Sequence, residues 1–193
     1  MFRNMFRNRF RHLTLALAIA AVLTLPVFAQ DSQSKNLDIR SSAGDLHVGN
    51  DADAKKTGLP QYPGARLKSG DDSRSQANLS IATEAFGMKL VVAHYESDDA
   101  PSKIIDFYRD KLKRYGKVLE CHSQKHDGDV DVDDDKDSIE SKALKCDDNS
   151  GPVTELKVGT QDDQHVVAVE PRDTGKGSTF ALVYVRTHKS GEI

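Results

Sequence analysis

The chain is 193 residues long, 37% hydrophobic and without tryptophan, and its 27 Lys and Arg face 30 Asp and Glu for a net charge of −3. An acidic chain gains nothing from a phosphate backbone, which argues against a nucleic-acid partner. The length suits about one domain of modest core.

The first 29 residues read as a secretory leader. Arg3, Arg7, Arg9 and Arg11 charge the start, residues 13–25 form an apolar run, and Val27-Phe28-Ala29 offers a small-residue cleavage pattern before Gln30. The apolar run is shorter than the roughly 18–20 residues of a bilayer-spanning helix. Cleavage near Ala29 removes four arginines and no acid, which takes the net charge to −7. The expected location is periplasmic or extracellular, with no transmembrane segment in the mature chain. In that setting the two cysteines, Cys121 and Cys146, are expected to form a disulfide. A metal site using His122 and His126 is the rival, but Cys-His-x-x-x-His is not a zinc spacing.

In chain order, Leu37, Ile39, Leu46 and Val48 alternate with polar residues about Ser41-Ser42-Ala43-Gly44, which predicts a short β-hairpin. With a charged linker over residues 51–57, this makes an N-terminal segment of residues 30–58, ahead of an α+β domain over 59–193. Pro63-Gly64 fits a type II turn, and residues 68–75 read as an exposed loop. Leu79 and Ile81, then residues 88–95, predict a second hairpin turning at Phe86-Gly87. One helix is predicted over residues 101–115. Asp98 and Asp99 supply charge and a capping oxygen, Pro101 sits in the first turn, and Gly116 terminates it. Its apolar face gathers Ile104, Ile105, Phe107, Tyr108, Leu112 and Tyr115, with Lys111 inside the arc, its stem on apolar surface and its ammonium in water.

Strands are then expected at 118–121, 143–146, 156–158, 166–169 and 180–185. In the last, Phe180, Leu182 and Tyr184 face one side and Ala181, Val183 and Val185 the other. Turns are expected at 149–152, 161–164 and 172–177. The expected fold class is α+β: one amphipathic helix packed on a mainly antiparallel sheet, preceded by a short N-terminal β-hairpin.

The hairpin segment resembles the repeats of bacterial adhesins, in which such hairpins stack. One copy has nothing to stack on, so an edge hairpin or an N-terminal arm is expected. Gly58-Leu59-Pro60-x-Tyr62-Pro63-Gly64-Ala65, with Ser97-Asp98-Asp99 and Ile104-Ile105-x-Phe107-Tyr108-x-x-x-Leu112-x-x-Tyr115-Gly116, resembles a group of exported bacterial proteins of unassigned function. The resemblance covers residues 37–125. It implies a shared fold and export, and carries no catalytic residues.

Residues 127–140 hold eight acids and one base. With Asp129 as position 1, Asp131, Asp133, Asp135, Asp137 and Glu140 fall at positions 3, 5, 7, 9 and 12 of an EF-hand loop, and calcium is the ion that spacing would suit. Asp134 replaces the required glycine, Lys136 stands at the apolar position, and no helices flank the run. The alternative is a solvated acidic loop held at its base by the disulfide.

The helix carries the opposite sign, with Lys103, Arg109, Lys111, Lys113, Arg114 and Lys117 against Asp106 and Asp110. The acidic loop could therefore fold over it, or the helix dipole alone could explain its three C-terminal bases. His94 reads as a core or edge residue of its strand. No nucleophile elbow, zincin motif, phosphate-cradling loop or Cys-x-x-Cys occurs, so no catalytic residue and no firm cofactor is expected. The function expected is a small exported binding or interaction domain whose partner is an envelope or extracellular protein or a small ligand. Calcium binding through the acidic loop is the first alternative and an unrecognised enzyme the second.

Overall fold

The computed structural model describes residues 36–68, 75–124, 143–146, 149–173 and 175–189. The leader, the loop core at 69–74 and the acidic run lie outside them.

Alternating sequence produces nine strands: β1 (Leu37–Ser41), β2 (Gly44–Gly49), β3 (Arg66–Leu67), β4 (Gln76–Ala82), β5 (Phe86–Ser97), β6 (Leu119–Ser123), β7 (Val153–Thr160), β8 (Asp163–Pro171) and β9 (Ser178–Lys189). They form one antiparallel sheet in the order β1-β2-β4-β5-β9-β8-β7-β6, and β3 pairs with β5. The predicted hairpin is the sheet's margin, joined to it through Val48 opposite Leu79 and Leu46 opposite Ile81.

Among the described residues there is one α-helix: α1 (Pro101–Leu112) lies across β7 and β8 and buries Ile104, Tyr108 and Leu112. A 3-10 turn over Lys113–Tyr115 extends it, and Gly116, at φ +141°, ends it. The fold class is therefore α+β as the periodicity predicts. Lys111 holds its ammonium 5.3 Å from the Phe107 ring centroid, as a stem laid on apolar surface requires.

A second cover has no regular structure. Residues 52–65 bury Ala52, Ala54, Leu59, Tyr62 and Ala65 in the same core as α1. Phe180 centres an aromatic cluster there, 5.5 Å from Tyr95, 5.7 Å from Tyr108 and 6.3 Å from Tyr62. Two of these rings also carry the polar ties. The Tyr95 hydroxyl accepts the Ala54 N–H at 2.8 Å, and the Tyr108 hydroxyl donates to the Pro60 carbonyl at 3.1 Å. Pro63-Gly64 forms the expected turn, with Gly64 at φ +75° and the Ala65 N–H on the Tyr62 carbonyl at 3.0 Å.

Three expectations are corrected. Neither Asp98 nor Asp99 caps α1, because Ala100 holds the cap position and no side chain caps it. Asp99 instead pairs with Lys103 at 2.7 Å and accepts the Tyr62 hydroxyl at 2.9 Å, so it ties the helix to the 52–65 segment. Asp98 pairs with Arg66 at 3.1 Å. Phe86-Gly87 is strand, not turn, and the chain reverses one step earlier, where the Thr83 N–H donates to the Phe86 carbonyl. Residues 143–146 are not a strand and make one bridge, Ala143 to Thr160.

In β9, Phe180 and Leu182 face the helix with Tyr184, and Ala181, Val183 and Val185 face away, as expected. Phe180→Ala should cost about 3–5 kcal/mol by urea unfolding, and Tyr95→Phe about 1–2 kcal/mol by leaving the Ala54 N–H unmatched. Wild-type stability in Tyr95→Phe would mean that the hydroxyl does not hold the segment.

Candidate functional site

The two margins of the sheet differ, and the cysteines account for one of them. Cys121 on β6 is bonded to Cys146, with Cα atoms 5.5 Å apart. The bond brings Cys146 and residues 149–151 alongside β6, where His122 would otherwise present its backbone outward. Its N–H donates to the Asn149 side-chain oxygen at 2.9 Å, and its carbonyl accepts the Gly151 N–H at 2.9 Å. A Cβ at Gly151 would stand 1.7 Å from the Ser123 carbonyl oxygen, so only glycine permits that approach. At His122 this margin is covered by its own chain. Cys121→Ser/Cys146→Ser should lose about 3 kcal/mol of stability by the loop-entropy estimate, read from urea unfolding. A double variant as stable as the parent would refute a structural role for the bond.

The proposed calcium ligands, Asp129, Asp131, Asp133, Asp135, Asp137 and Glu140, lie outside the described residues. Among the described residues, no group of three or more His, Cys, Asp or Glu is placed to hold a metal ion. The basic side chains of α1 are engaged by their own neighbours. Lys103 meets Asp99, Arg109 meets Asp106 and Glu120, and Lys111 and Lys113 both meet Asp110. Arg114 donates to the Gly58 carbonyl and to the Tyr115 hydroxyl.

Gly58 is the centre of a cleft that sequence reasoning missed. At φ +77°, a Cβ there would lie 3.2 Å from both the His165 ring and the Tyr115 hydroxyl. The His165 ring stacks between Tyr115 (4.0 Å) and Tyr184 (4.8 Å), and its Nδ1 lies 3.0 Å from the Thr57 carbonyl. Shallow clefts of about 360 and 350 Å³ open on either side, lined by Lys55, Gly58, Leu59 and Arg114 on one and by Thr57, Tyr115, His165 and Tyr184 on the other. Two polar contacts of this stack, the Tyr115 hydroxyl on the Gly58 carbonyl at 2.7 Å and His165 Nδ1 beside the Thr57 carbonyl, run back to the 52–65 segment and hold it to the 3-10 turn and β8. The local signal was an aromatic at 115 and a histidine in an apolar strand, but their meeting is long-range.

Burial holds His165 below its ordinary pKa, against the Thr57 carbonyl and Asp163, which favour its proton. The folded chain therefore resists a proton that the unfolded chain accepts below about pH 6.5. Its contribution is intact above that value and declines as the pH falls. The melting temperature should drop between pH 7 and pH 5, and His165→Gln should flatten the drop. An equal drop in the variant would assign the effect elsewhere.

The other margin is open among the described residues: there β1 pairs on one side only, with β2, and it is exposed along its length. The helix-facing side of this hairpin is polar. His47 lies 2.8 Å from Asp38, Asn78 donates to Asp51 at 2.9 Å, and Lys56 pairs with Asp51. Those two donors draw the Asp51 carboxyl down to a pKa of about 2.

The side facing away is apolar. Leu37, Ile39 and Val48 are 52%, 48% and 41% exposed there. They continue into half-buried Leu46, Leu79, Ile81, Met88 and Leu90 across β2, β4 and β5. Among the described residues, no helix or other strand lies over this face. His94 sits on it part-buried, on interior strand β5 opposite Ala181, with Nδ1 3.3 Å from the Ser75 carbonyl.

Compared with protein-family models, with curated proteins and with solved structures, the chain matches none. No helix of the described residues is long and apolar enough to cross a membrane.

Proposed function

We propose that the chain is an exported interaction domain that docks another protein through strand β1 and the apolar face behind it. One observation carries this reading: three large aliphatic side chains stand half exposed together on β1 and β2, at a margin where, among the described residues, β1 pairs on one side only. Such a margin offers backbone donors and acceptors for strand addition and apolar surface for the partner's side chains. Natural sheets usually blunt an exposed edge, as this one does at β6. The bonded cysteines and the leader-like start support an oxidising compartment outside the cytoplasm.

A photoreactive benzophenone side chain placed at position 39 or 48 in the expressing cell tests the reading. Both should give protein adducts, and the same group at Lys103, on the far side of the sheet, should not. Leu37→Ser/Ile39→Ser/Val48→Ser should remove the adducts formed from a probe at position 46 and shift stability by no more than about 0.5 kcal/mol per site. Adducts from Lys103 alone, or none from the hairpin, would reject it.

A further inference from the structure

Resting on the surface reading above, we infer that the occupant of the β1 margin is a second copy of this chain, paired antiparallel about a two-fold axis through Ile39. The argument is in the order of charges along one strand. β1 reads Leu37-Asp38-Ile39-Arg40-Ser41, with Asp38 and Arg40 on the helix side and Leu37, Ile39 and Ser41 on the apolar side.

Antiparallel pairing of this strand with itself keeps like faces together only in alternate registers, because a one-residue slip turns apolar side chains to the polar face. Three such registers are available near the middle of the strand. Centring on Asp38 puts that carboxylate opposite its own copy, and centring on Arg40 does the same with two guanidinium groups. Centring on Ile39 sets Asp38 opposite Arg40 twice, related by the axis, and Ile39 against Ile39 on the other face. Opposite charges directly across a strand pair stabilise it and like charges oppose it. The strand is thus complementary to its own reverse in one register.

The surroundings agree with that register. Asp38 is 60% exposed beside His47, so it can take a second cation without losing the first contact. On the other face the axis joins the two apolar surfaces, and Leu37, Ile39 and Val48 of each copy meet at the seam. The opposite margin is obstructed, because both outward backbone groups of His122 are already taken by Asn149 and Gly151. Two copies sharing one self-complementary margin form a closed pair.

Sedimentation equilibrium of the isolated protein reads the assembly, and engineered cysteines read its register. The protein should sediment as a dimer. Arg40→Asp should weaken the dimer about tenfold or more by facing Asp38 with a second carboxylate. Asp38→Arg/Arg40→Asp, which reverses the charges and keeps their complementarity, should restore it.

Ile39→Cys should crosslink two chains on mild oxidation, whereas Ser41→Cys, whose copies would sit on opposite sides of the axis, should not. A monomer at every concentration overturns the inference. So does a dimer indifferent to Arg40→Asp, or one that Ser41→Cys crosslinks as readily as Ile39→Cys. A monomer whose hairpin still gives photo-adducts to a different protein overturns self-pairing alone and leaves the surface reading standing.

Discussion

An α-helix with its side chains is about 10 Å across and neighbouring strands lie about 4.8 Å apart, so one helix covers about two strands of a sheet. Here eight strands stand side by side and α1 lies over β7 and β8. The shortage of helical cover governs the rest of the molecule. The core is completed by residues 52–65, an irregular segment that would be costly to bury without partners for its backbone. Tyr95, Tyr108, Tyr115 and His165 supply hydrogen bonds or stacking to it from β5, α1, the 3-10 turn and β8. Aromatic side chains suit this task because one ring both fills volume and carries a polar tip.

Beyond the reach of that cover, the sheet changes character. On β1, β2 and β4 the helix-side positions hold Asp38, His47, Asn78 and Ser80 rather than core residues. The Asp51-centred network of His47, Asn78 and Lys56 serves this side, and the apolar positions fall on the reverse face. A hairpin that only extended the fold would have no physical need for Ile39 or Leu37 there, since their burial contributes nothing while they face solvent. Their placement is the reason to read this margin as a contact surface.

What could be read from the residues was what depends on near neighbours. The α1 arc, the alternation of β5, β8 and β9, the hairpin at 37–48 and the Pro63-Gly64 turn each declare themselves within about a dozen residues. The cysteine pair was legible by counting. The failures are equally physical. Two-residue β3 is too short to show a period, and Ala143-Leu144-Lys145-Cys146 imitates a strand but makes only the Ala143 bridge to Thr160. Asp99 has the chemistry of a cap, but sits one residue too early and is claimed by Tyr62 and Lys103. Neither the burial of residues 52–65 nor the Tyr115-His165-Tyr184 stack leaves a local trace, because each brings together residues from 19 to more than 100 positions apart. The openness of β1 belongs to the sheet order, which no local pattern encodes.

The bond at Cys121 has an effect on how many neighbours a molecule can accept. With β6 occupied by its own chain, the fold has a valence of one, and growth by strand addition halts after a single event. Reduction would release Cys146 from β6, and a chain that then lost the Asn149 and Gly151 contacts would have a valence of two. Sheets joined at both ends have no terminus, so the thiol state of this pair separates a discrete particle from an indefinite ribbon.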